Sequence, residues 1–184
     1  MGKFLNMKYK DELIKAMGWL GKKHDTVFTG QAVRCSGHAI SGTLDKVPME
    51  KKIELPVFEE TQMGMATGMA LEGFIPITCY PRFDFFILAT NQLVNHLDKM
   101  KEMSNGDMKP KVIIRVSVGS KKPIDAGCQH TQNYTEAYKL MLTDVDVVEL
   151  IEPMDIAPAF KKAYERNDGK STLIIEYGEF YGTK

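Results

Sequence analysis

The chain has 184 residues, enough for one domain with a sizeable core, and its 43% hydrophobic and 26% charged content is that of a globular protein. Lys+Arg and Asp+Glu each number 24, which removes the electrostatic case for nucleic acid or an anionic membrane as partner. No apolar run approaches the length of a membrane span, and the amino-terminal MGKFLNMKYKDE lacks the apolar centre of a signal peptide.

The Met-Gly start would suit myristoylation, but Asn6 stands where Ser or Thr is required, so a cytoplasmic location is expected. Leu13, Met17 and Leu20 at helical spacing predict a helix over 8–20. A short strand over 26–29, closed by Gly30, should follow. Residues 34–52 are rich in Gly, Ser and charge without clear periodicity, which predicts a long surface loop. The apolar run 55–58 predicts a strand ending at the acidic pair Glu59–Glu60. A helix studded with Gly64, Ala66, Gly68 and Ala70 comes next, then Gly73 and a strand over 75–80. Pro81 leads into the aromatic cluster Phe83, Phe85 and Phe86 and a helical pattern to about Met103. Asn105-Gly106-Asp107 and Pro110 mark a turn. The β-branched run 112–118 reads as a buried strand, followed by a polar loop over 119–132 and a helix over 134–141. A strand over 145–151, a helix from Pro153 to about Arg166 and a strand over 173–177 complete the chain. Strands alternating with helices predict a single α/β domain with a mainly parallel sheet flanked by helices. Ligands of such sheets bind at the carboxyl ends of strands, where Glu59, the phenylalanine cluster and the 119–132 loop should all lie.

Several residues carry chemistry in one reading and only packing in another. Glu59 and Glu60 are either a solvated pair at a helix N-terminus or include one carboxyl held against apolar walls. Leu55, Pro56 and Phe58 could supply those walls, making a proton available to a ligand nitrogen. These two settings act oppositely on a carboxyl group, and both readings stand at this point. Gly64 and Gly68 are four apart on one helix face, and each costs about 1 kcal/mol relative to Ala inside a helix. Such a pair invites close approach of another backbone, from this chain's sheet or from a second subunit. The phenylalanines belong in the core, with one free to stack on a flat heterocycle. His130, beside Gln129 and Gln132, is either an exposed loop residue or a donor to a substrate oxygen. His24, His38 and His96 have no such company, and the four histidines show no metal-ligand spacing. Cys35, Cys79 and Cys128 are odd in number and far apart, which argues against disulfides and against zinc. Met63, Met65 and Met69 suit irregular gaps among the small residues.

Taken in order, these residues resemble the pyrimidine-binding domain of transketolase-type thiamine-diphosphate enzymes, nearest to the β subunit of 2-oxo acid dehydrogenase E1 components. Pro56, Glu59, Gly64, Ala66, Gly68, Gly73 and Pro76 match the family's Pro-x-x-Glu segment and the small residues after it. Phe83, Phe85, Gln92, Leu93, Val94, Asn95 and Lys99 match the aromatic and helical segment, with Asn91 replacing the usual Asp. Gly127, Gln129, His130, Thr131 and Gln132 match a Gly-x-Gln-His motif, and Glu176, Tyr181 and Gly182 match the closing one.

The resemblance implies thiamine diphosphate as cofactor. Glu59, rather than Glu60, would hydrogen-bond the aminopyrimidine, Phe85 would stack on it with Phe83 in support, and His130 would face the substrate. Gly106-Asp107-Met108 is the one near match to the family's diphosphate and metal motif, and it lacks the second glycine and a spaced Asn. The chain, 1–184, therefore reads as a pyrimidine-binding domain without a diphosphate-binding or C-terminal transketolase domain. Mg2+ would be held mainly by a diphosphate-binding, α-like partner, in a homodimer or α2β2 heterotetramer. The implied reaction is decarboxylation of a 2-oxo acid with transfer of the acyl or aldehyde unit. Ketol transfer and a non-catalytic interaction module are the alternatives. Gln31 stands where dehydrogenase β subunits tend to carry an acid.

Overall fold

The computed structural model describes residues 7–35, 40–122 and 124–183. The Met-Gly start with Asn6, His38 and the chain end at Lys184 lie outside them. Among the described residues, the helical and β-branched patterns fold into six strands and seven α-helices. The strands are β1 (Thr26–Gly30), β2 (Lys52–Glu54), β3 (Ile75–Tyr80), β4 (Ile113–Val118), β5 (Asp146–Glu149) and β6 (Thr172–Tyr177). The helices are α1 (Tyr9–Gly21), α2 (Glu59–Leu71), α3 (Phe83–Phe86), α4 (Met100–Met103), α5 (Thr135–Met141), α6 (Pro153–Glu165) and α7 (Phe180–Thr183). All strand pairs are parallel, in the order β2-β1-β3-β4-β6-β5. The expected α/β fold with a parallel sheet is therefore present.

Parallel sheets are covered on both faces, so their central strands are largely apolar. β3 and β4 are buried at every position, and alternate residues feed two separate cores. On one face Ile77, Cys79 and Ile113 pack with Tyr9, Leu13, Met17 and Leu20 of α1 and with Ile156 and Phe160 of α6. On the other, Ile114, Val116 and Tyr80 pack with Met63 and Ala66 of α2, Phe83 and Phe86 of α3, and Tyr138 of α5. Each of these large apolar side chains contributes roughly 1.5–3 kcal/mol on burial.

Three expectations are corrected. The strand placed at 55–58 lies three residues earlier, in polar Lys52-Ile53-Glu54. Pro56 has no N–H to donate, and β2 is the edge strand, where half-exposed polar residues suffice. Its ladder ends where the Leu55 N–H donates to the Gly30 carbonyl at 2.9 Å. Residues 40–52 do not form a surface loop. Ile40, Leu44 and Val47 are buried in the first core, held by single 3-10 turns at Ser41–Thr43 and Met49–Lys51. Turns this short show no sequence period. The helix expected from the aromatic cluster to Met103 is broken into α3, a 3-10 turn (Ile87–Ala89), a π-helical stretch (Gln92–Leu97) and α4.

Candidate functional site

The order β2-β1-β3 reverses the direction in which the sheet grows, and a crevice opens at such a point beyond the carboxyl ends of the strands. β1 delivers Gln31 there. Its last residue, Gly30, has φ +140°, and a Cβ on it would lie 2.2 Å from the Cys79 carbonyl oxygen of β3. Only glycine can take that conformation against that neighbour.

Glu59 is the first residue of α2 and is 5% exposed. Gln31 Nε2 donates to its Oε1 at 3.0 Å, and the Tyr80 hydroxyl donates to its backbone carbonyl at 3.4 Å. Burial pushes the Tyr80 hydroxyl well above its ordinary pKa, so it stays a donor. Glu60, one position on, is exposed on another face of the helix, where Asn91 Nδ2 donates to it at 3.0 Å and Gln92 Nε2 at 3.5 Å. Those two bonds hold its carboxyl below the usual range. The Asn91–Lys99 motif thus has packing duties: Asn91 and Gln92 tie Glu60, and Lys99 donates to Thr143 at 2.6 Å.

Beyond β3 come Pro81, Arg82 and the half-buried Phe85. The 119–132 loop, beyond β4, brings His130 over them; its ring meets Phe85 edge-on, with centroids 5.4 Å apart and planes at 83°. Two contacts set the height of this loop. A Cβ on Gly119 would overlap the His130 carbonyl oxygen, at 1.7 Å, and the Gln132 N–H donates to Asp84 Oδ1 at 3.1 Å. Gln31, Val57, Glu59, Tyr80, Pro81, Arg82, Phe85 and His130 together line a cavity of about 280 Å³. That exceeds the ~150 Å³ that admits a benzene ring.

Glu59, Phe85 and His130, named from sequence, converge here. Phe83 sits elsewhere, fully buried in the second core, where it stacks on Tyr138 at 5.5 Å and touches Phe86 and Tyr134. The apolar walls are also not those weighed from sequence. Leu55, Pro56 and Phe58 line a separate apolar groove with Thr61, Gln62 and Met65, and Val57, Tyr80, Pro81 and Phe85 wall in Glu59. Sequence reasoning missed Arg82, Tyr80 and Val57 altogether. Arg82 had one usable signal, a lone cation between a buried strand and an aromatic cluster. Among the described residues no three His, Cys, Asp or Glu side chains gather as a metal cage, and no helix is long and apolar enough to cross a membrane.

Residues 7–180 match the family model described as "Transketolase, pyrimidine binding domain". Among curated proteins, the chain is 33% identical over 97 residues to the pyruvate dehydrogenase E1 component subunit beta of Rickettsia conorii, a match covering 53% of this chain and 29% of that protein. It is 29% identical over 143 residues to the subunit of the same name from Rhizobium meliloti, covering 77% of this chain and 30% of the relative. A solved structure described as "Split gene transketolase, inactive beta4 tetramer" superposes with a TM-score of 0.62 at 19% identity, over 94% of this chain and 52% of that one. The chain thus spans under a third of these curated relatives and about half of the solved neighbour.

Proposed function

The chain belongs to the transketolase pyrimidine-binding domain family, and on that premise we propose that it is the pyrimidine-binding, β-like subunit of a two-component thiamine-diphosphate enzyme. The reaction would decarboxylate a 2-oxo acid and pass on the acyl or aldehyde unit. The observation that carries this reading is the convergence of Glu59, Phe85 and His130 from three strand ends in one cavity. A buried carboxylate, an aromatic ring and an imidazole suit a flat nitrogen heterocycle and its substrate. When bound, thiamine diphosphate supplies the nucleophilic carbon for cleaving a bond next to a carbonyl. Glu59 would hold a proton at the ring nitrogen, with Gln31 orienting its carboxylate. Phe85 would offer the face on which the ring lies, with Phe83 behind it in the core. His130, at the rim, would exchange a proton with the substrate oxygen.

The names of the curated relatives favour 2-oxo acid chemistry. Ketol transfer is the second reading, favoured by the name of the solved neighbour. The diphosphate and its Mg2+ would be held by an α-like partner. Gly106-Asp107, the nearest match to the diphosphate motif, lies in the turn before β4, at the opposite edge of the sheet from the cavity. The outer face of α2 suits a subunit seam, because a Cβ on Gly68 would meet nothing within 4 Å in this chain, and Met65 and Phe58 are exposed nearby. The solved neighbour is described as an inactive beta4 tetramer, and we expect this chain to be inactive without its α-like partner. A cytoplasmic location belongs to the same proposal.

Exchange of the thiamine C2 proton, followed by NMR in the complex with the diphosphate-binding partner, tests the assignment. Glu59→Gln should slow it at least ~100-fold, and Glu60→Gln should change it by no more than about three-fold. Equal effects would mean that Glu59 is not the residue at the ring.

A further inference from the structure

Arg82 stands apart from the other arginines of this chain. Arg115 is fully buried and paired with Glu176, and Arg166 is half-buried and paired with Asp146 and Asp168. Arg34 is exposed. Arg82 is half-buried, and among the described residues it has neither a carboxylate partner nor an aromatic face beneath it. The nearby carboxylates do not pair with it: Glu59 takes a hydrogen bond from Gln31, and Asp84 takes the Gln132 N–H. A guanidinium keeps its charge at every physiological pH, and partial burial without a counter-ion is costly.

Its position is as telling as its lack of a partner. The Nη1 atom lies 3.1 Å from where a Gly119 Cβ would be, and the His130 carbonyl oxygen presses on the same point at 1.7 Å. Arg82 therefore reaches under the His130 loop while lining the cavity that holds Glu59 and Phe85. The site has a carboxylate from the start of α2 and a cation from the end of β3, and the two form no ion pair with each other. Five N–H donors in a planar fork match the oxygens of a carboxylate or a phosphate.

We propose that Arg82 is a specificity-determining residue that anchors the anionic group of the substrate beside His130. This inference rests on the reading of the cavity as a thiamine-diphosphate site, and it adds that the substrate must carry an oxyanion within reach of Arg82. The oxyanion is the carboxylate of a 2-oxo acid or the phosphate of a ketose phosphate, and one experiment separates these sources.

In the two-subunit complex carrying Glu59→Gln, which should block turnover, dissociation constants are measured by calorimetry for two pairs of probes. One pair is pyruvate and methyl pyruvate; the other is fructose 6-phosphate and fructose. With Arg82 present, the charged member of one pair should bind at least ~30-fold more tightly than its neutral counterpart, and that pair identifies the source. Adding Arg82→Leu should reduce the preference to under about three-fold, and Arg82→Lys should restore part of it. Absence of charge preference in both pairs, or a preference that survives Arg82→Leu, overturns the assignment. So does an Arg82→Leu effect confined to affinity for thiamine diphosphate. The reading of the cavity fails separately, through loss of Glu59-dependent C2 exchange in the complex with Arg82 intact.

Discussion

Glu59 and Glu60 are neighbours with the same chemistry, yet they do different work. A helix turns about 100° per residue. That rotation takes Glu59 into the cavity, against Gln31, and Glu60 out to Asn91 and Gln92. Sequence alone separated the two only through the family resemblance, because each is an acid in the first turn of α2. The partner that matters, Gln31, lies 28 residues away. The cysteines differ in the same way. Burial pushes the Cys79 thiol up to about 11, whereas Cys35 and Cys128 are exposed. A raised pKa keeps the thiol protonated, and hence a poor nucleophile, at every pH below it. Titration of the isolated chain with a disulfide reagent at pH 8 should find two fast thiols, with the third reacting only on unfolding. Three fast thiols would show that the first core is open at Cys79.

At the scale of elements, strong apolar patterns were easy to read and weak ones were not. α1, β3 and α6 fall where helical or β-branched spacing placed them, because each buries a continuous apolar face. β2 was misplaced because an edge strand needs little apolar surface, and the apolar run after it serves as a groove wall instead. The 119–132 loop shows what local pattern omits. Its polar residues identify it as a loop, but its height over the cavity depends on contacts with Gly119 and Asp84. Gly119→Ala would drive a methyl group into the His130 carbonyl. We expect far-UV circular dichroism to remain unchanged, Glu59-dependent C2 exchange to persist, and turnover by the complex to fall at least ~10-fold. Normal turnover would show that the position of His130 is not set by this contact.

For the whole molecule, a buried ion pair joins the sheet to the end of the chain. Arg115 Nε donates to Glu176 Oε1 at 2.6 Å, its Nη2 donates to Glu176 Oε2 at 2.9 Å, and the Tyr181 hydroxyl donates to the same Oε2. Arg115 also donates to Thr43 at 3.0 Å, so the buried 40–47 segment is tied to the same pair. The closing Glu176…Tyr181 motif is therefore structural here, a clamp between β4, β6 and α7. Removing one partner leaves a buried charge uncompensated, so Arg115→Met should lower unfolding stability by about 3–5 kcal/mol in urea denaturation. Arg115→Met with Glu176→Leu should recover much of that loss, and a single-variant cost under ~1 kcal/mol would refute the clamp. By itself, the sequence determined the alternation of strands and helices and the parallel sheet, and it singled out Glu59, Phe85 and His130, whose side chains meet in one cavity. The elements rest on local periodicity, which acts within a few turns of chain, and the three side chains were singled out by the family resemblance of the motifs that carry them. Only the tertiary structure decided that Phe83 takes no part in lining the cavity, that Gln31 reaches Glu59, and that Arg82 enters the cavity without a counter-ion. Those outcomes depend on how the ends of β1, β3 and β4 align across the sheet, which is set by packing between residues far apart in the chain.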